Sequence, residues 1–121
     1  MNIQRFPLKF MPLTGDFMYY IYILRCVDHT LYTGITNHLE KRMREHFTHD
    51  RRAAKYTLSH PPVMIEVLLT CDTRSKASKV EYALKHLSKA QKEAFIVDYD
   101  QTPPFLKETK RLYAFPLLHL K

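Results

Sequence analysis

With 121 residues and 45% hydrophobic content, the chain is sized for one domain with a single core. It has no apolar run near the ~18–20 residues that cross a bilayer, and residues 1–17 lack the continuous apolar stretch of a secretory signal. Nineteen Lys and Arg against twelve Asp and Glu leave a net charge of +7, a field that attracts polyanions, nucleic acid foremost.

Residues 1–17, with Pro7, Pro12 and Gly15, carry no sustained period and read as a flexible leader, which makes Met18 an alternative start. An ordered domain is expected over residues 18–100. It opens with Tyr20-Ile-Tyr22-Ile-Leu24 and Leu31-Tyr32-Thr33-Gly34-Ile35, two β-branched and aromatic runs split by the polar Asp28-His29-Thr30. The pair reads as a hairpin, and its turn length decides where the phenols point. A turn at Asp28-His29 pairs Cys26 with Leu31 and sends Tyr22 and Tyr32 to opposite faces. A longer turn over Val27-Asp28-His29 pairs Cys26 with Thr30 and puts both on one face. A shared site requires the second. Gly34, inside a strand, marks a close approach by a ligand or another backbone.

Asn37-His38-Leu39-Glu40 has the form of a capping box, opening a helix whose Leu39, Met43 and Phe47 form a stripe toward the core. Arg42 and His46 flank that stripe and are expected at the helix–sheet margin. Residues 50–60 read as an irregular basic segment with Arg51, Arg52 and Lys55, ended by Pro61-Pro62. Val63 to Leu69 is apolar almost throughout and reads as a third, central strand. A second helix from Arg74 to Leu87 would bury Ala77, Val80, Leu84 and Leu87. Ser88-Lys89-Ala90-Gln91 is a further capping box, opening a helix to about Tyr99. After Pro103-Pro104, residues 101–121 form a tail whose Phe105, Leu106, Tyr113, Phe115 and Leu117 suit it to pack back on the domain or to dock a partner. The order β-β-α-β-α-α describes a small α+β fold, with helices against one face of three strands. Cys26 and Cys71, each at a strand end, make no disulfide framework and fit a reducing, cytoplasmic setting.

Glu81 falls four residues after Ala77 and three before Leu84, on or beside the apolar stripe. A carboxylate there needs a partner, because desolvating it alone is costly. It suits Mg²⁺, which keeps several waters and needs one or two carboxylates plus a phosphate; an ion pair with Lys85 one turn on is the ordinary alternative. Tyr22 and Tyr32 would serve equally as strand aromatics over a core. Arg42 is either a solvated charge between Lys41 and Arg44 or, with His46, a phosphate clamp. His46 and His49 have no neighbouring third ligand for zinc.

These residues resemble the GIY-YIG nuclease superfamily, in particular its small stand-alone bacterial (YhbQ-like) members. The resemblance runs from Met18 to Ile96. It rests on Tyr20-Ile-Tyr22, Tyr32-Thr33-Gly34, Lys41-Arg42-Met43-Arg44-Glu45-His46, Ala54-Lys55-Tyr56-Thr57 and Val80-Glu81-Tyr82, in order and at compatible spacing. The family implies a three-stranded antiparallel sheet flanked by helices and metal-dependent cleavage of a nucleic-acid phosphodiester; DNA, in branched or single-stranded forms, in repair or processing, is the expected substrate. Carried over, Tyr22 and Tyr32 line the site, Arg42 stabilises phosphate charge and Glu81 holds one divalent ion, Mg²⁺ or Mn²⁺. One tyrosine or His46 helps deprotonate or position the attacking water. A free phenol titrates near ~10, so a tyrosine base needs nearby positive charge. Gly34, Lys41, Arg44, Arg51, Arg52 and Lys55 are the expected nucleic-acid contacts. Tyr20 stands where the first signature usually has glycine, and Thr33 where isoleucine or valine is commoner. The asparagine that many relatives carry after the glutamate is missing, since Asn2 and Asn37 are the chain's only ones. A nucleic-acid-binding module that no longer cuts, or a partner-binding subunit using the tail, are the competing readings.

Overall fold

The computed structural model describes residues 18–98 and 103–112; the expected leader and the tail residues Tyr113, Phe115 and Leu117 lie outside the described residues. Strands β1 (Tyr19–Cys26) and β2 (Leu31–Thr36) pair antiparallel, with Tyr22 opposite Gly34 and Leu24 opposite Tyr32. The turn is the longer one: the Cys26 amide donates to the Thr30 carbonyl at 2.9 Å, and His29 takes a left-handed φ of 70° to close it. Tyr22 and Tyr32 therefore share a face.

The chain continues through α1 (Leu39–Phe47), α2 (Lys55–Ser59), β3 (Pro62–Cys71), α3 (Arg74–Lys85), α4 (Lys89–Val97), a 3-10 turn (Pro104–Leu106) and a short β4 (Lys110–Arg111). The sheet order is β2-β1-β3-β4, antiparallel at each step. The central strand of the first three is thus β1, not β3 as its apolar run suggested. The apolar run has another cause: helices cover both faces of the sheet, not one. On one face Tyr20, Tyr22, Leu24 and Leu68 pack against Leu39 and Met43 of α1. On the other Ile21, Ile23, Val67 and Leu69 pack against Ala77, Val80 and Leu84 of α3, Phe95 and Ile96 of α4, and Leu106. Both alternating sets of β1 are apolar, so both sides need cover.

The starts of α3 and α4 follow their side chains, whereas α1 and α2 begin without a side-chain cap. Thr73 Oγ1 accepts the Lys76 amide at 3.1 Å to start α3, and Ser88 and Gln91 cap α4 reciprocally at 3.1 and 2.8 Å. The capping box expected at Asn37 does not form. His38 is the residue before α1 and makes no side-chain cap; its amide donates to Thr36 Oγ1 at 3.0 Å instead. Residues 50–60, expected to be irregular, hold α2.

A β-bulge fastens the layers. Ile23 pairs with Val67 and Leu24 with Ile65, leaving Glu66 as the extra residue of β3. Its carboxylate accepts Arg25 Nε at 2.8 Å, while Arg25 Nη1 and Nη2 grip both oxygens of Glu93 on α4 at 2.6 and 2.7 Å. Lys89 adds bonds to Glu93 at 3.1 Å and to the His29 carbonyl at 2.7 Å, so hairpin tip, β3 and α4 are tied by one cluster. The Arg25 fork holds the Glu93 carboxyl down at about 2. The stability this contributes is complete above the ordinary carboxylate range and is lost as pH falls toward 2. Arg25→Met is expected to lower stability by about 2 kcal/mol at pH 7 and to flatten the loss below pH 4.5, read by urea unfolding at a series of pH values.

Candidate active site

The face shared by the two phenols is closed by α1 and α2. Tyr22, on the middle strand, is almost fully buried, and its hydroxyl lies 2.8 Å from His46 Nε2. His46 Nδ1 lies 2.9 Å from Thr57 Oγ1 of α2, which is also 3.0 Å from the Ala54 carbonyl. Instead of sitting at the helix margin, His46 is fully buried, because its ring is wedged edge-on to Tyr22 and tilted against Tyr32, each at 5.5 Å between centroids. The rings continue outward: Tyr32 stacks on Tyr56 at 5.9 Å, Tyr56 on His60 at 4.1 Å, and His60 Nδ1 meets Asp28 Oδ2 at 2.5 Å.

Gly34 is the spacer that permits this. A Cβ there would meet Tyr22 Oη at 2.6 Å, Tyr22 Cζ at 2.7 Å and Tyr32 Cε2 at 3.0 Å. The close approach expected from a ligand or another backbone is made by the chain's own phenol.

Arg42 is anchored beside this cluster. Its Nη1 donates to Glu45 Oε1 at 2.8 Å and to the Arg52 carbonyl at 2.7 Å, and its charge acts on the Tyr22 phenol. Glu45 is buried, and the bonds from Lys41 (2.7 Å) and Arg42 hold its carboxyl below the usual range. The electrostatics of the relay are one-sided. Burial pushes the Tyr22 phenol well above its ordinary value, the Tyr32 and Glu81 charges add to that, and Arg42 opposes it. Burial first, and then the Arg42 charge, bring His46 down to about 4. The site thus holds a neutral phenol and a neutral imidazole next to a fixed cation.

Glu81, on α3, is half-buried and pairs with Lys85 at 3.2 Å, yet it is near enough to Tyr22 to raise the phenol. Among the described residues, no group of three or more His, Cys, Asp and Glu could hold a metal ion. Glu81 offers one hard carboxylate, the ligand type of an ion that fills the rest of its shell with water and phosphate. Of the expected nucleic-acid contacts, Lys41 is engaged with Glu45, Arg44 with Glu40 at 3.3 Å and Arg52 with Asp50 at 3.5 Å. Arg51 and Lys55 are exposed on the loop and helix that Arg42 fastens through Arg52. Sequence reasoning missed Glu45, Tyr56, Thr57 and His60 as site residues. The signal for Tyr56 and His60 was their one-turn spacing, hidden by reading the segment as irregular.

Such an arrangement can move a proton between a phenol and an imidazole while a guanidinium meets negative charge, the equipment of a phosphodiester-handling domain. Residues 18–94 match the GIY-YIG catalytic domain. The chain is 44% identical over 85 residues to a UPF0213 protein of Desulfotalea psychrophila, a match covering 70% of this chain and 76% of that one. It is 38% identical over 92 residues to a UPF0213 protein of Cupriavidus necator, covering 76% and 98%. The solution NMR structure of a UPF0213 protein from Bacillus halodurans is 33% identical, with a TM-score of 0.44, over 65% of this chain and 82% of that one. The chain belongs to the GIY-YIG family, the nuclease superfamily its tyrosine motifs resemble. No helix among the described residues is long and apolar enough to cross a membrane.

Two outcomes follow from this geometry. Gly34→Ala is expected to destabilise the fold by about 1–3 kcal/mol and to push Tyr22 off His46, so that the imidazole, followed by NMR, titrates above its native value of about 4. Because His46 is held neutral in the fold while an open imidazole protonates near ~6.5, stability should be complete above that pH and fall as pH drops toward 4, by at most roughly 3 kcal/mol. Denaturant midpoints of the protein and of His46→Gln, which lacks the titration, would show this slope in the first and not in the second.

Proposed function

We propose that the protein is a metal-dependent endonuclease that hydrolyses phosphodiester bonds in DNA, in branched or single-stranded forms, in repair or processing. The observation that carries this reading is the Tyr22–His46 hydrogen bond at 2.8 Å, buried beside the anchored Arg42. The upward-shifted phenol is not a standing phenolate base at neutral pH. Tyr22 acts as a relay: its oxygen takes a proton from the attacking water as its own proton passes to His46 Nε2. His46, neutral across the working pH range, has the lone pair to receive it, although burial and the Arg42 charge make it a weak base. Tyr32, packed against His46, closes the cluster on its outer side.

Arg42 meets the charge that develops on the phosphate as the water adds. Its Nη1 is committed to Glu45 and to the Arg52 carbonyl, which holds the remaining donors in place before the substrate arrives. Glu81 would hold a single Mg²⁺ or Mn²⁺; its pair with Lys85 is a one-turn surface pair of small worth, easily exchanged for an ion. When bound, the ion supplies Lewis-acid polarisation of the phosphate. The positive field and the exposed Arg51 and Lys55 would draw the DNA backbone toward the site, with affinity that falls steeply with salt. Lys41, Arg44 and Arg52 reinforce that field from within their ion pairs, and Gly34 takes part through Tyr22 and not by direct contact.

Purified protein is expected to cut labelled single-stranded or branched DNA in Mg²⁺ and not in chelator. Glu81→Ala should lower cleavage by about 10²-fold or more while leaving DNA affinity within a small factor. Equal loss of binding and cleavage would count against a metal-centred site. Salt-sensitive binding without any product would identify a nucleic-acid-binding module instead.

A further inference from the structure

We propose that Thr57 is a positioning residue that locks the tautomer of His46 and so makes Nε2 the acceptor for the Tyr22 proton. The purpose of this lock rests on the nuclease reading above; its geometry does not. Thr57 is fully buried on α2, with Oγ1 within hydrogen-bonding distance of two groups, His46 Nδ1 at 2.9 Å and the Ala54 carbonyl at 3.0 Å. A hydroxyl has one hydrogen, and a carbonyl can only accept. The Thr57 hydrogen therefore goes to Ala54, and its lone pair accepts Nδ1–H from His46. A neutral imidazole carries one N–H, so Nε2 is bare at 2.8 Å from Tyr22 Oη and accepts the phenol hydrogen.

The rest of the cluster agrees with this direction. Arg42 sets its fixed positive charge near the same phenol and offers it no acceptor. Read from end to end, Tyr22 donates to His46, His46 to Thr57, and Thr57 to the backbone, each donor with an acceptor. In the reverse direction Thr57 would donate to Nδ1 and His46 Nε2–H would point at the Tyr22 oxygen. That arrangement leaves a buried phenol hydrogen without an acceptor and gives Nε2 no lone pair for a proton. A hydroxyl that turns back to the carbonyl of Ala54, the residue that opens its own helix, is thus what orients the relay. The role parallels that of a group holding a catalytic imidazole in its productive tautomer, which acts without touching substrate.

The test uses the full chain with ¹⁵N-labelled histidine. Long-range ¹H–¹⁵N correlation spectra at pH 7 read the His46 tautomer directly. The expected result is Nδ1–H in the native protein and in Thr57→Ser, with Nε2–H populated in Thr57→Val, which replaces the hydroxyl by a methyl of similar size. DNA cleavage should fall about tenfold or more in Thr57→Val and recover in Thr57→Ser. Native His46 carrying its hydrogen on Nε2 overturns the proposal whatever the variants do, and so does Thr57→Val that keeps Nδ1–H or cuts at the native rate. If the native protein cuts no DNA, the nuclease reading fails, while the tautomer spectra still decide whether Thr57 sets the imidazole.

Discussion

Everything at the candidate site depends on the length of one turn. Val27-Asp28-His29 closes the hairpin with His29 at a φ of 70°, and that count sets the register in which Tyr22 faces Gly34 and Tyr32 follows on the same side. One residue fewer would move an entire strand's side chains to the opposite face and part the phenols. The turn is correspondingly well held. Asp28 accepts Thr30 Oγ1 at 2.6 Å and the Thr30 amide at 3.3 Å, and it also pairs with His60; these bonds bring its carboxyl down to about 2. His60 then links the turn through Tyr56 to Tyr32, so the hairpin tip and the aromatic cluster brace one another.

On this scaffold the fold buries titratable groups in their neutral forms beside a cation. That combination is stable only because each polar atom in the relay has a partner. A buried phenol and a buried imidazole satisfy one another, and the imidazole's second nitrogen is satisfied by a threonine on a helix of only five residues. Not every buried hydroxyl is so served: Tyr20 Oη, Thr33 Oγ1 and Thr70 Oγ1 have no hydrogen-bond partner among the described residues. Two of these are the positions where the chain departs from the usual tyrosine signatures. Tyr20 fills core space against α1 that a glycine would leave open. The low-dielectric setting that makes those orphans costly also strengthens the Arg42–Tyr22–His46 interactions.

Charge is organised by layer. Arg25, Glu66, Glu93 and Lys89 fasten α4 to the sheet, whereas Arg42, Glu45 and Lys41 brace the site from the opposite face. The two clusters resemble one another in composition, yet Arg25 is bound through Nε, Nη1 and Nη2 alike. Arg42 is held by only one of its terminal nitrogens, which is what separates a structural arginine from one able to meet a phosphate.

The first three strands, the α1 stripe, the capped starts of α3 and α4, and Tyr22, Tyr32, Arg42 and His46 as a candidate set were legible in the residues, because alternation, one-turn spacing and caps are local signals; Glu81 joined that set through the family resemblance. Asn37 misled because a capping pattern says nothing of whether the backbone turns helical one residue later. The apolar run of β3 misled because burial on two faces and a central place in the sheet leave the same trace. The sequence by itself determined β1 to β3, α1, α3 and α4, the charge and the family motifs, but not α2 or β4. Tertiary structure alone decided the depth of His46, the service of Gly34 to the Tyr22 ring, and the use of Thr57. Those depend on α1 and α2 closing over the same sheet face, and contacts between residues distant in the chain have no period to read.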